Sequence, residues 1–403
     1  MKRRMNRIRP IHPFPARMAS SIVWNKLPNR NPRLRILDPM AGSGTTLVTA
    51  RARGHEAIGF DRDPLAVLIA GAWVADVDEE AVEAKAKEVL ARATERAQNL
   101  TDTTAFPQAA DDETKEFLEF WFDETNRRQL TALADTISRL HDPITKSLLW
   151  CAFSRLIITK KVGVSLAMDV SHSRPHRKYD EAPVKAFDQF ERSVKKVLNA
   201  SPFKKAGANA PRAEMNQGDA RMLSLADESV DMVITSPPYL NAIDYLRGHK
   251  LSLVWMGYTV DELRKIRSTN VGAEITNNHI EETVVLTAVD QMCDVESLGK
   301  RHKGMLCQYM QDMNAILSEI QRVLVENGKA IFVVGNSTLH GNFIRNSDGI
   351  KFLAEQIGFE TVSSRRRPLP ENRRYLPPPE SSGAGNQLEK RMREEVILTF
   401  LKN

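Results

Sequence analysis

Apolar residues follow two rhythms along the 403-residue chain. Short unbroken runs read as buried strands, and runs at helical spacing read as helices. Residues 34–38 form the first strand, followed by a Gly42-Ser43-Gly44 turn and a helix over 45–52. Residues 56–60 form the second, ending at Asp61, and Pro64 opens a helix whose apolar positions run through 65–73. From about 76 to 211 the spacing is helical throughout, with helices predicted over 79–98, 114–140, 146–160 and 183–198. Strands then return at 213–217, 230–235, 330–334, 360–364 and 395–401, with helices over 308–325 and 350–357. Strand, helix and strand in alternation predict an α/β fold with a parallel, Rossmann-like sheet. Seven strands are expected, interrupted by one large helical insertion. The chain divides accordingly into an N-terminal arm with the first half of the sheet (1–75), the insertion (76–210) and the second half of the sheet (211–403).

The turn after the first strand reads Asp38-Pro39-Met40-Ala41-Gly42-Ser43-Gly44-Thr45. Glycines at this place let backbone approach a ligand closely. A dinucleotide fingerprint would have Gly or Ala where Leu47 stands, and no Gly-Lys-Ser/Thr follows, which excludes a P-loop. Asp38 would repel a pyrophosphate and welcome a cation. Asp61 follows at the end of the second strand, where an acid accepts hydrogen bonds from ribose hydroxyls. Asp219, after the third strand, suits an adenine amino group. A single such acid reads most simply as a helix cap or an ion-pair partner. Three at successive strand ends beside a Gly-Ser-Gly turn point to a ligand that combines a cation, a ribose and an adenine. S-adenosylmethionine has all of these.

The fourth strand runs into Thr235-Ser236-Pro237-Pro238-Tyr239. Two prolines stiffen the backbone and remove two amide donors, leaving carbonyls that accept hydrogen bonds. An exocyclic NH2 of a base needs such acceptors, and Tyr239 offers a ring face on which an extruded base stacks. Alone, the motif is a rigid turn; next to a sheet edge lined with acids it reads as a site.

Together these pieces resemble the amino-group DNA methyltransferases, which make N4-methylcytosine or N6-methyladenine. The matching segments are His12-Pro13-Phe14-Pro15-Ala16-Arg17, the loop from Asp38 to Thr45, Gly59-Phe60-Asp61, Gly218-Asp219-Ala220 and Ser236-Pro237-Pro238-Tyr239. The resemblance implies the methyltransferase sheet and the following roles. Phe14 packs over the methionine end of S-adenosylmethionine. The loop of Asp38, Pro39, Ala41, Gly42, Ser43, Gly44 and Thr45 holds that end. Asp61 binds ribose, and Asp219 with Ala220 binds adenine. Ser236, Pro237, Pro238 and Tyr239 hold the target amine of a base flipped out of double-stranded DNA. Serine at the head of this motif favours cytosine N4, where adenine N6 enzymes carry Asp or Asn. The chain departs from the family in one respect: its insertion lies between the strands that carry Asp61 and Asp219.

Methyl transfer from a sulfonium to an amine is in-line and needs no covalent intermediate, and no cysteine sits in the motif. Cys151, Cys293 and Cys307 are far apart in sequence, with no CxxC or Cys/His pairing, so no metal site is expected. The net charge of +6 permits a polyanionic partner. Basic residues cluster at Lys2, Arg3, Arg4, Arg7 and Arg9, and again at Arg365, Arg366, Arg367, Arg373 and Arg374, in what reads as a loop. Within the insertion, Ser171-His172-Ser173-Arg174-Pro175-His176-Arg177-Lys178-Tyr179 reads equally as a polar surface loop or as one whose Arg174, Arg177 and Lys178 contact phosphates. Its histidines stand four apart with Pro175 between them, which argues against a helical metal pair. Asp244 and Tyr245, just past the catalytic motif, either border the base pocket or simply begin a helix. No apolar run reaches membrane-spanning length and no signal core follows the basic start, so a cytoplasmic protein is expected. Two other readings compete: a methyltransferase acting on RNA bases, against which no RNA-binding module is evident, and a nucleic-acid-binding module with a dead cofactor fold, against which the complete acid and Ser-Pro-Pro-Tyr set speaks.

Overall fold

The computed structural model describes residues 8–29, 31–160, 162–204, 210–238, 240, 244–272, 283–294, 298–339, 342–369 and 394–403. Tyr239, Arg373, Arg374 and the basic residues Lys2 to Arg7 lie outside them. One seven-stranded sheet organises the chain. Its strands are β1 (Arg35–Asp38), β2 (Glu56–Asp61), β3 (Ala213–Gln217), β4 (Val230–Thr235), β5 (Leu324–Gly335), β6 (Phe359–Pro368) and β7 (Glu394–Lys402). They lie in the order β6-β7-β5-β4-β1-β2-β3. β1 to β5 pair in parallel, and β7 runs antiparallel between β5 and β6. This is the methyltransferase sheet expected from the sequence. Chain order reverses between β1 and β4, and the C-terminal ends of these two strands meet there, the place where open α/β sheets bind ligands.

Each face of the sheet is covered, which is why the central strands are largely apolar, while the edge strands β3 and β6 carry polar and charged residues. On one face lie α1 (Ser20–Lys26), α2 (Thr45–Arg53) and α3 (Pro64–Val74). On the other lie α11 (Thr283–Met292), α12 (Lys300–Val323) and α13 (Asn346–Gln356). Alternation along β5 divides the two cores: Ile331 and Val333 face α1, while Ala330, Phe332 and Val334 face α12 and α13.

Between α3 and β3 stand five helices: α4 (Glu79–Ala97), α5 (Asp112–Trp121), α6 (Glu124–Ser138), α7 (Pro143–Ile157) and α8 (Ala186–Ala200). They extend the α2–α3 side of the sheet, since Leu118, Leu133, Phe153 and Val194 share one core with Ile36, Leu47 and Leu65. The long helix expected over 114–140 is two. Phe122 leaves helical geometry, and Asp123 caps α6 by accepting from the Asn126 amide at 2.8 Å. The insertion is not wholly helical either: Ala167–Met168 and His176–Arg177 pair as a short antiparallel ribbon. After β4, the chain adds α9 (Tyr245–Leu253) and α10 (Val260–Ser268), which the sequence reading did not resolve, as it did not α1 and α11. Arg365, Arg366 and Arg367, read as loop, belong to the edge strand β6, where they pair with β7 residues Ile397, Val396 and Glu395. No helix among the described residues is long and apolar enough to cross a membrane.

Candidate active site

The glycine loop expected to hold the cofactor begins where β1 ends. Asp38 is buried, and its Oδ1 accepts from the Thr235 hydroxyl at 2.7 Å and from the Met40 amide at 3.3 Å. Burial pushes its carboxyl up to about 6, against the opposing pull of the hydrogen bonds from Thr235, Thr46 and Met40. Thr235 is the last residue of β4. The acid of the loop and the residue that opens the Ser-Pro-Pro turn are therefore bonded directly to one another.

Two glycines shape the loop. Gly42 has φ of +51°, and a Cβ there would sit 3.4 Å from the ring of Phe14. Gly44 has φ of +84° and caps α2, and a Cβ there would come within 2.7 Å of Ala70 on α3. Leu47 breaks the dinucleotide fingerprint because its packing partner differs: its methyls lie where a side chain on Gly59 of β2 would be, 2.8 Å away. Helix α2 thus approaches the sheet through a strand glycine.

The end of β2 is joined to the same loop. Asp61 accepts from the Gly42 amide at 2.8 Å through Oδ2 and from the Asp63 amide at 2.9 Å through Oδ1. Desolvation raises this carboxyl to about 6, helped by the like charge of Asp63. Asp63 caps α3 through the Leu65 amide and meets Nδ1 of His249 on α9 at 2.5 Å. His249 is buried, its ring packs 5.2 Å from that of Phe14, and its Nε2 has no hydrogen-bond partner among the described residues. Phe14 also stacks on Tyr245, with ring centroids 5.4 Å apart. Gly42, Asp61, Asp63, His249 and Phe14 therefore form a closed ring of contacts. Sequence reasoning missed Asp63 and His249; the Asp63-Pro64 cap was a visible signal, whereas nothing in the pattern marks His249.

The Phe14 arm is held by α7. His12 is buried and bonds Ser154 Oγ through Nε2 at 3.0 Å, and Arg155 donates to the Ile11 carbonyl at 2.6 Å. Burial and the nearby Arg155 charge drive the His12 pKa well below its ordinary value, so this histidine is a neutral anchor.

At the end of β3, Ala220 is buried and Asp219 is gripped by Arg62 and by Arg221, whose Nη2 lies 2.8 Å away. Burial works against its charge, yet hydrogen bonds and charge from Arg221, with Arg62 behind, hold the carboxyl below the usual range. Arg221 in turn pairs with Asp312 of α12 at 2.7 Å. An adenine amino group reaching Asp219 would have to share it with both guanidinium groups.

In the Ser-Pro-Pro turn, the Ser236 hydroxyl donates to the Val333 carbonyl of β5 at 2.9 Å. The carbonyl of Pro238 is not left open as the sequence suggested. It accepts from the buried Tyr309 hydroxyl of α12 at 3.0 Å. Pro237 is buried, and among the described residues no hydrogen bond to its carbonyl is made.

The insertion reaches this site through its ribbon. Ser173 Oγ lies 3.3 Å from the Tyr245 carbonyl, and a Cβ on Gly248 would collide with the Val170 carbonyl at 2.6 Å, so α9 and the 170–173 turn are packed backbone to backbone. Arg174, Arg177 and Lys178 are exposed beyond that contact. Arg177 lies over the exposed ring of Phe120, 5.4 Å from its centroid. Across the sheet, Arg366 is exposed and pairs loosely with Glu394 at 3.5 Å. Asp244 pairs with Arg267 at 2.9 Å. Among the described residues no group of three metal-ligating side chains gathers, and the three cysteines are buried and separate.

No family model matches the chain. Its sequence is similar to the type II methyltransferase M.BsoBI of Geobacillus stearothermophilus, 23% identical over 81% of this chain and 73% of that one. It is also similar to M.AvaI of Nostoc, 24% identical with the same shares covered. M.MvaI of Kocuria varians is 23% identical over 92% of this chain and 84% of its own.

Proposed function

We propose, from the premise that this chain belongs to the DNA methyltransferase family together with those type II enzymes, that it methylates the exocyclic N4 amine of cytosine in double-stranded DNA, with the base turned out of the helix. The observation that carries the reading is the junction of the two halves of the site. Thr235 bonds Asp38 at 2.7 Å, so the Ser236-Pro237 backbone is fixed directly to the cofactor acid. Residues that hold a methyl donor and residues that hold an acceptor amine need that fixed relation, because in-line transfer depends on alignment.

S-adenosylmethionine fits the residues present. Asp38 and Asp61 are carboxylates whose charge burial penalises, and a cationic ligand relieves that penalty. A Cβ on Gly42 would touch the Phe14 ring at 3.4 Å, so the loop backbone lies directly against an aromatic ring. Bound there, S-adenosylmethionine supplies a methyl group on an electron-poor sulfur. Asp61 takes ribose hydroxyls, and Asp219, with Ala220 beneath, takes the adenine edge. On the acceptor side, the Pro237 carbonyl accepts an N–H of the amine and orients its nitrogen. Tyr309 fixes the next peptide by holding the Pro238 carbonyl. Ser236 spends its hydroxyl on Val333 and leaves a small surface where adenine enzymes place an acceptor amide or carboxylate. Tyr239 stacks the extruded base. The methylated nitrogen is acidic and loses its proton to water, so no strong general base is required.

Digestion of DNA methylated by the purified protein, followed by mass spectrometry of the nucleosides, tests this. N4-methylcytosine is the expected product. N6-methyladenine overturns the choice of base, and 5-methylcytosine overturns amine chemistry altogether.

A further inference from the structure

One face of the sheet carries a second charged feature away from the catalytic turn. Between α1, β6 and β7 lies a recess of about 330 Å³ lined by the apolar Ile22 and Ile397. Lys26, Arg365 and Arg367 line it as well, with Ser21 and Asn25. Only Arg367 has a carboxylate, Glu395 at 2.9 Å. Among the described residues Lys26 bonds nothing but the Thr399 hydroxyl, at 3.2 Å, and Arg365 has no ion-pair partner. Burial lowers the Lys26 ammonium below its ordinary range, and the charges of Arg365 and Lys329 lower it further. Folding thus brings together two cations that have no carboxylate partner among the described residues, and an anion between them would offset their repulsion.

We propose that this recess binds a phosphodiester of the DNA backbone, a reading that rests on the proposed DNA substrate. Strand register ties it to the catalytic turn. Arg365 pairs with Ile397 on β7, Ile397 with Val333 on β5, and the Val333 carbonyl receives the Ser236 hydroxyl. Arg365 and Ser236 therefore stand on one row across the sheet, three strand spacings or roughly 14 Å apart. At about 3.4 Å of helix rise per nucleotide, that row spans about four nucleotides. A duplex that delivers its base to Ser236 brings a backbone phosphate over the recess a few steps along. Lys26 supplies a point charge, Arg365 a planar fork for two phosphate oxygens, and Ser21 and Asn25 neutral donors.

The test compares wild type with Lys26→Ala/Arg365→Ala and with Arg365→Lys, in DNA binding over a range of salt, with S-adenosylmethionine affinity and melting temperature as controls of folding. The double variant is expected to bind duplexes of any sequence about tenfold more weakly at low salt. Its log–log salt slope is expected to be shallower by about 1, the loss of one phosphate contact. Arg365→Lys keeps the charge but loses the fork, and is expected to keep the wild-type salt slope while binding more weakly than wild type. Unchanged affinity and slope in a double variant that folds, measured beside a wild type that methylates DNA, overturn the proposal. A wild type that binds no DNA instead overturns the functional reading on which it rests. Titration with inorganic phosphate separates the sources: saturation by free phosphate in wild type, without any DNA defect in the variant, assigns the recess to a free anion and overturns the DNA assignment.

Discussion

At the scale of single residues, the site is governed by carboxylates kept from water before their ligand arrives. Asp38 and Asp61 are both pushed up to about 6. A folded pKa above the unfolded one means that the protein without ligand gains stability as pH falls from about 6 toward 4 and lacks that gain above 6. A cationic ligand favours the ionised form and returns both pKa values toward the ordinary range. Binding of S-adenosylmethionine is therefore expected to release protons between about pH 4 and 6.5. Affinity should rise with pH across that window, up to about tenfold per unit for each group, and level off above it. Calorimetry in buffers of different ionisation enthalpy measures this. A flat affinity from pH 5 to 7 with no proton release would mean that neither carboxyl ionises when the ligand binds. Asp38 and Asp61 were legible in the sequence because acids at successive strand ends, beside a glycine turn, exceed what helix capping and ion pairing require. Tyr309 and His249 were not, because an aromatic and a histidine at helical spacing look the same whether they fill a core or hold a site.

At the scale of elements, the central strands were readable because burial on both faces leaves an apolar run, and the errors fall where a short polar signal outweighs that periodicity. Asp123 splits one predicted helix into two with no Gly or Pro to mark the break. Arg365 to Arg367 look like loop by composition, yet pair along β6, because an edge strand tolerates charge on its open side. Helices α9, α10 and α11 escaped because their apolar positions touch parts of the fold far away in sequence. Arg51 at the end of α2 fastens the insertion at its neck, beside the backbone bond from Val77 to the Phe203 carbonyl and the Lys204–Glu79 ion pair. Arg51 is buried, donates to the carbonyls of Val74 and, at 2.8 Å, Pro211, and pairs with Asp76 at 2.5 Å, so it ties the chain entering the insertion to the chain leaving it. Its guanidinium also stacks over Phe203, 4.1 Å from the ring centroid. Removing it leaves two carbonyls without their donor and a cavity beside Phe203. Arg51→Ala is expected to cost about 2–4 kcal/mol in denaturant unfolding, in line with the loss of a buried charged donor. A loss below about 0.5 kcal/mol would show that the neck holds without Arg51.

At the scale of the whole molecule, two cationic surfaces flank the catalytic turn and differ in what they can read. The recess of Lys26 and Arg365 lies on a rigid sheet face and offers only charge and a fork, so it suits a phosphate, which carries no sequence. The ribbon of Arg174, Arg177 and Lys178 is different. It is pinned to α9 through Ser173 and Val170, only a few residues past the catalytic turn, and carries long side chains next to the exposed ring of Phe120. Side chains able to make directed hydrogen bonds on a stalk beside the target base are suited to reading its neighbours, which is the role we assign to the insertion. The two surfaces should therefore fail differently. Replacing Arg174, Arg177 and Lys178 together by Ala is expected to lower affinity for the preferred sequence by about tenfold or more while altering binding to unrelated DNA less, so that the ratio between them falls. Affinity for S-adenosylmethionine should stay within about twofold, since none of the three touches the ring of contacts around Phe14. Sequencing of modified bases gives the second readout, and methylation is expected to spread to sites that differ from the preferred one by a base pair. An equal loss on all sequences would make the ribbon a second phosphate contact, and no loss at all would leave it as solvated surface and the insertion without a part in recognition.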